Sequence, residues 1–282
     1  MAFRDLLLHV STYPEATSPQ AIDHAVRWAV GLGGTLSVLA LTVAIPVRSN
    51  RAADALIGLT EMAREEEAKS RDACDGDLSY FVVQAKSAGV HGEVLTAQAH
   101  LFEVAEHLVT AARTRDLCIL PLGAPHDEED DVARSVIFTS GRPVLLFRGE
   151  PATLPGEGPQ RVVVAWDGSR CAARAMADAM PMLVQARDVQ LLAVGPESAK
   201  PTTAPLLDAL RHLKAHGVRA SVHEVAADGR PVGVALEAEL LDRPADLLVM
   251  GAYGHSRLRE LVLGGATEHM IRVAPTPIFL SH

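Results

Sequence analysis

The chain reads as α/β, two tandem doubly wound units in which each half is a five-stranded parallel sheet with flanking helices. Three observations point there. Short β-branched apolar runs alternate with apolar stripes at helical spacing, the pattern of parallel strands joined by right-handed crossovers. That series occurs twice, with corresponding segments offset by about 130 residues. A Pro- and Gly-rich stretch, PATLPGEGPQ at 151–160, lies between the copies and reads as a linker, which sets the domains at residues 1–150 and 151–282.

In the first half, DLLLHV is the opening strand, and Ile22, Val26 and Ala29 mark one face of the helix that follows. REEEAKSRD, residues 64–72, looks like a solvated helix face carrying charge pairs. A helix then ends in Lys86-Ser-Ala-Gly89-Val90, with the glycine where a left-handed backbone is expected. RDLCIL (115–120) and PVLLF (143–147) supply the later strands. The second half repeats the order. RVVVAW suits a strand buried on both faces. Ala172, Met176, Ala179 or Met180, and Leu183 give its helix an apolar stripe. VQLLAV follows, then a helix marked by Leu206, Leu210 and Leu213 that ends in Lys214-Ala-His-Gly217-Val218. ASVHEV, a helix marked by Val232, Leu236 and Leu240, the strand DLLVM, a helix over roughly 265–273 and the strand PIFL close the series. PVLLF and PIFL would each form an exposed sheet edge unless paired, so they are expected to pair across a pseudo-two-fold axis, making the chain a built-in dimer.

Composition narrows the function classes. With 282 residues, 48% hydrophobic and 22% charged, the chain has room for two cores of ordinary size. The formal net charge is −9 and no block of Lys and Arg stands out, so nucleic acid is not an expected partner. The N-terminal MAFRDLLLHVSTYPE lacks a basic region and a long apolar region and reads as a strand, not a signal. No apolar stretch approaches the roughly 18 residues of a membrane helix. Cys74, Cys118 and Cys171 show no C-x-x-C spacing, which indicates neither a disulfide framework nor a zinc site and fits the cytoplasm.

Candidate chemistry gathers after DLLVM, in GAYGHSRLRELVLGGAT (251–267). Ligands of open parallel sheets bind beyond the carboxyl ends of the strands, where the strand order reverses. Glycines there let the backbone approach a phosphate, and a helix starting near Gly264 offers unpaired N–H groups and its positive dipole end. Thr267 adds a hydroxyl. Asp167, at the end of RVVVAW, suits a ribose hydroxyl or an adenine amino group rather than a phosphate, which it would repel. Gly251-x2-Gly254-x9-Gly264 resembles the ATP loop of the universal stress protein family, G-x2-G-x9-G-(S/T), and the repeat makes the chain similar to that family's tandem members. The resemblance implies a Rossmann-like, adenine nucleotide alpha hydrolase-like fold, ATP with Mg²⁺ as the ligand, and a role in stress survival. It also implies adenosine contacts at Asp167 and at Val194. Gly265 stands where the family pattern asks for Ser or Thr. A lost hydroxyl bond to a charged phosphate costs about 1.5 to 3 kcal/mol, roughly ten- to more than a hundredfold in affinity. Backbone donors at Gly264 and Gly265 and the Thr267 hydroxyl offset part of this, so weak to moderate binding is expected.

The first half departs further. Pro121 replaces Gly251 and removes an N–H, Ser11 replaces Asp167, and PHDEEDDVARS places acids where a triphosphate needs donors. This half is expected to bind no ATP, and Asp127 to Asp131 read as a solvated surface loop. Three functional classes stay open: a nucleotide-binding regulator acting through its second half, a nucleotide-independent dimeric scaffold, and a slow ATP hydrolase or phosphotransferase. The last would need a metal-binding acid and a group positioning the nucleophile. Asp167 and His255 could serve, but neither spacing is a catalytic signature, and no Walker, G-x-G-x-x-G or G-x-S-x-G motif is present. The chain is therefore read as a non-enzyme with an unidentified protein partner and scope for homodimers. Cys171, near a helix start, has a minor claim to a redox role. His212, His223, Trp28 and Trp166 read as surface or packing residues.

Overall fold

The computed structural model describes residues 2–46, 58–123, 127–148, 158–195, 204–252 and 265–282. Among the described residues ten strands form one sheet: β1 Asp5–Val10, β2 Thr35–Ala44, β3 Val94–His100, β4 Leu117–Leu122, β5 Val144–Arg148, β6 Arg161–Ala165, β7 Asp188–Gly195, β8 Ala220–Ala226, β9 Leu247–Gly251 and β10 Ile278–Ser281. Their order is β3-β2-β1-β4-β5-β10-β9-β6-β7-β8. Neighbours are parallel throughout except at the centre, where β5 and β10 pair antiparallel with Phe279 opposite Leu145. The order is a palindrome about that pair, so the halves are related by a pseudo-two-fold axis. In each half it reverses beside the first strand, between β1 and β4 and between β6 and β9.

Helices cover both faces. One face carries α1 Pro19–Leu32, α2 Leu59–Ser87, α5 Arg170–Gln185 and α6 Ala204–Ala215; the other carries α3 Val104–Ala112, α4 Asp127–Thr139, α7 Val232–Asp242 and α8 Ala266–Val273. Strands covered on both sides have no polar face, which is why Val162, Val163 and Val164 are all buried. Each face has a core that runs through both halves. One includes Leu8, Phe147, Val164 and Phe279; the other includes Leu7, Leu146, Val163 and Leu280. Phe3 meets Phe279 edge to face at 6.0 Å, tying the segment before β1 in one half to the last strand of the other.

Repeated sequence produces repeated local geometry. Gly89 and Gly217 have φ of +70° and +78°, and the following valines bond back to Ala85 and Leu213 at 2.8 and 3.1 Å, closing both helices in the same way. The aspartates of RDLCIL and ADLLVM also match. Asp116 Oδ2 accepts from Arg4 and Asp5 N–H at 2.9 and 3.0 Å, and Asp246 Oδ2 accepts from Gln160 and Arg161 N–H, both at 2.8 Å. Each acid fixes the entry of its half's first strand.

Two expectations need correction. The acidic stretch is not a surface loop: Asp127–Thr139 is helical, and Asp130 is 1% exposed. Asp130 is tolerated there because it pairs with Arg148 of β5 and lies 3.5 Å from Arg272 Nε of α8, across the seam. Val232 opens its helix but is 46% exposed, so Leu236 and Leu240 alone carry that stripe into the core.

Candidate functional site

The carboxyl ends of β6, β7 and β9 form the crevice. Val164 pairs with Leu191 on one side and Val249 on the other, and three residues further along that register Asp167 stands level with Val194. Side chains alternate between sheet faces. Val163 and Leu192 belong to the core under α7 and α8, so Asp167 and Val194 continue that face beyond the sheet edge. Asp167 is exposed, and its Oδ1 accepts from Ser169 N–H at 2.8 Å. Gly168, at φ +75°, turns the chain, and Ser169 Oγ caps α5 by accepting from Ala172 N–H at 3.1 Å. The acid thus has a local structural duty in addition to facing the crevice.

On the same face, α8 begins at the fourth wall. Gly265 is its N-cap residue, with φ −59° and ψ 160° and no side-chain cap. The first intrahelical bond runs from His269 N–H to the Gly265 carbonyl at 3.1 Å, which fixes the start of the helix at Ala266. Position 265 is where a Ser or Thr would both cap the helix and offer a hydroxyl. Thr267, in the first turn, is 5% exposed. Glu268 beside it pairs with Arg134 Nη2 of α4 at 2.6 Å, which braces this helix start against the other half. Gly254, Gly264 and His255 lie outside the described residues.

Gly251 has a different explanation from the one its motif suggests. A Cβ there would lie 2.4 Å from both the Cys171 carbonyl carbon and the Ala172 nitrogen, backbone atoms of the first turn of α5. Its missing side chain therefore points to the face opposite α8. Glycine at 251 lets α5 seat against the end of β9, whatever the loop beyond it holds. Cys171 is buried in this contact, with Sγ 3.8 Å from His282 Nδ1, and His282 Nδ1 is 3.0 Å from the Ala252 carbonyl. The thiol's residue is 3% exposed, which argues against a redox role.

No group of three or more His, Cys, Asp and Glu suited to a metal ion occurs among the described residues. Among the same residues no helix is long and apolar enough to cross a membrane. The donor set beside Asp167 fits an adenine nucleotide in part: an acid for the sugar or base and backbone N–H groups for phosphate, without the hydroxyl at 265.

The sequence model of the universal stress protein family matches residues 159–282. Universal stress protein Slr1230 of Synechocystis sp. is 41% identical over 59 residues, and the chain spans only 21% of that curated relative's length. Among solved structures, a universal stress protein from Archaeoglobus fulgidus aligns over 98% of this chain and 95% of its own, with a TM-score of 0.69 and 19% identity. A protein of unknown function from Pseudomonas aeruginosa aligns over 99% of this chain and 92% of its own, with a TM-score of 0.55 and 16% identity. At these identities the two structures speak for the fold, and they do so along the whole chain.

Proposed function

We propose that the chain, whose residues 159–282 match the universal stress protein family, is a cytoplasmic, adenine nucleotide-binding regulator that works through its second half. One observation carries this reading: Asp167, Val194 and the start of α8 at Gly265 converge on one face at the point where the strand order reverses. Asp167 and Val194 would take the adenosine end. Gly265 and the first-turn amides of α8, with the Thr267 hydroxyl, would take the phosphates together with Gly251, Gly254 and Gly264. Bound Mg²⁺ would offset phosphate charge near Glu268 and Asp167.

The output is regulatory rather than catalytic. Binding energy at the start of α8 reaches the first half directly, because Glu268 pairs with Arg134 and Arg272 reaches Asp130. Occupancy therefore biases how the halves are braced, and with it the surface offered to a protein partner or a second copy under stress. Calorimetric titration of MgATP into nucleotide-free protein tests this. Saturable binding near one site per chain, lost in Asp167→Ala and Gly254→Glu, is expected. No heat and no thermal shift at millimolar MgATP would leave a nucleotide-independent scaffold.

A further inference from the structure

The first half contains a cavity of about 330 Å³ at the carboxyl ends of β1, β2 and β4. In strand order it is the counterpart of the crevice beside Asp167, but its lining is of another kind. Leu41, Val43, Leu120 and Leu122 form its walls, and Leu101 and Phe102, in the 3₁₀ turn before α3, stand at its mouth. Phe102 is 76% exposed, an aromatic ring held in solvent beside an apolar hollow. The volume lies at the low end of the range for small-molecule sites, which are mostly apolar with a few placed polar groups.

Those polar groups are specific in sign. Neither Lys nor Arg lines the cavity among the described residues, and Pro121 contributes no N–H where Gly251 stands in the other half. The serine and threonine hydroxyl protons are already committed: Ser11 donates to the Tyr13 carbonyl at 2.9 Å, Thr12 to the Leu41 carbonyl at 2.6 Å, and Ser135 to the Asp131 carbonyl at 2.9 Å. His9 Nδ1 is 3.2 Å from the Leu39 carbonyl, which can only accept, so Nδ1 carries the ring proton. Burial holds His9 well below its ordinary value, at about 4, so the ring is neutral near pH 7. Its Nε2 is then a bare acceptor with no hydrogen-bond partner among the described residues. His9 occupies the position of Ala165 in the other half, so this acceptor has no equivalent there. The cavity has acceptors to offer, its serine and threonine donors are spent, and Asp131, paired with Arg134, stands at its edge.

We propose that this cavity binds a small uncharged ligand with an apolar ring body and one hydroxyl or N–H, donated to His9 Nε2. A phosphate or carboxylate would set its oxygens against the bare His9 acceptor and would find no cation among the described lining residues. The two halves thus take ligands of opposite character at equivalent places in the fold, and the first-half site stands independently of nucleotide binding in the second.

The test titrates the full chain with 2-naphthol, 2-methylnaphthalene and 2-naphthoate, followed by ligand fluorescence. Saturable binding of 2-naphthol at one site per chain is expected, about five- to tenfold weaker for the methyl compound, which lacks the donor, and absent for the anion. His9→Phe should abolish the difference between naphthol and methylnaphthalene. Ala105→Trp, which fills the cavity from α3, should abolish binding of both while circular dichroism and Tm report an intact fold. Saturating MgATP should displace neither. The proposal is overturned by absent saturation with 2-naphthol, by equal affinity for all three compounds, or by unchanged binding in folded Ala105→Trp.

Discussion

Replacing Gly251 by alanine separates packing from ligand recognition. The added Cβ would stand 2.4 Å from two backbone atoms, Cys171 C and Ala172 N, and 2.8 Å from the Cys171 carbonyl oxygen. Carbon contacts settle at about 3.5 to 4.0 Å, so the first turn of α5 must retreat by roughly 1 Å. No flexible side chain is present to absorb the strain, and overpacking of this kind costs about 1 to 3 kcal/mol. For a chain of this size that lowers Tm by roughly 2 to 10 °C. The retreat also carries Ser169 and the turn held by Asp167, so MgATP affinity should fall with stability. Gly195→Ala is the control: it lies at the same sheet edge, and nothing approaches within 4 Å of its added Cβ. It should change stability by less than about 0.5 kcal/mol. Urea denaturation of the two variants measures both. A Gly251→Ala protein as stable as the parent would refute the packing role assigned to this glycine.

Three further outcomes are expected. Gly265→Ser restores an N-cap hydroxyl to α8 and should tighten MgATP binding by about tenfold or more, read by titration. Asp130→Ala leaves Arg148, whose side chain is 14% exposed, without its buried partner and should cost about 3 to 5 kcal/mol in urea denaturation. Finally, His24 is 2% exposed and accepts from Trp28 Nε1–H at 3.0 Å; burial, reinforced by the Arg27 charge, holds its pKa at about 4 against 6.5. The unfolded chain takes up the proton first, so this contribution is complete above pH 6.5 and is lost as pH falls toward 4, to a total of about 3 kcal/mol. His9 acts in the same direction, while Asp77, pushed up to about 6 by burial, opposes them below pH 6. Denaturation curves between pH 7 and 4 should fall less steeply in His24→Gln than in the parent.

The order of strands and helices was legible because local pattern and tertiary role agree. Val162 to Val164 are apolar and β-branched because both faces of their strand are covered, and the Lys-x-x-Gly-Val repeat marks helix ends through a backbone shape that glycine favours. The pairing of PVLLF with PIFL could be foreseen because an apolar edge needs a cover. Burial of Asp130 could not, since it depends on Arg148 and Arg272 arriving from other elements, and its acidic neighbours hide the helix around it. Asp167 and the start of α8 were readable from strand ends and glycine spacing. The role of Gly251 was not, because its partner, the first turn of α5, lies about 80 residues earlier in the chain. The first-half departures at Ser11 and Pro121 signalled what that crevice lacks. What it contains instead depends on Leu101 and Phe102, which no motif marks.

Hydrogen exchange with and without saturating MgATP tests the central assignment most directly, because it reports where the ligand lies. Slowed exchange is expected in peptides covering 166–171, 192–195 and 251–269, with residues 9–14 and 120–135 unaffected at their crevice. Slowing confined to the first-half crevice, or no change anywhere at millimolar MgATP, would contradict nucleotide binding by the second half.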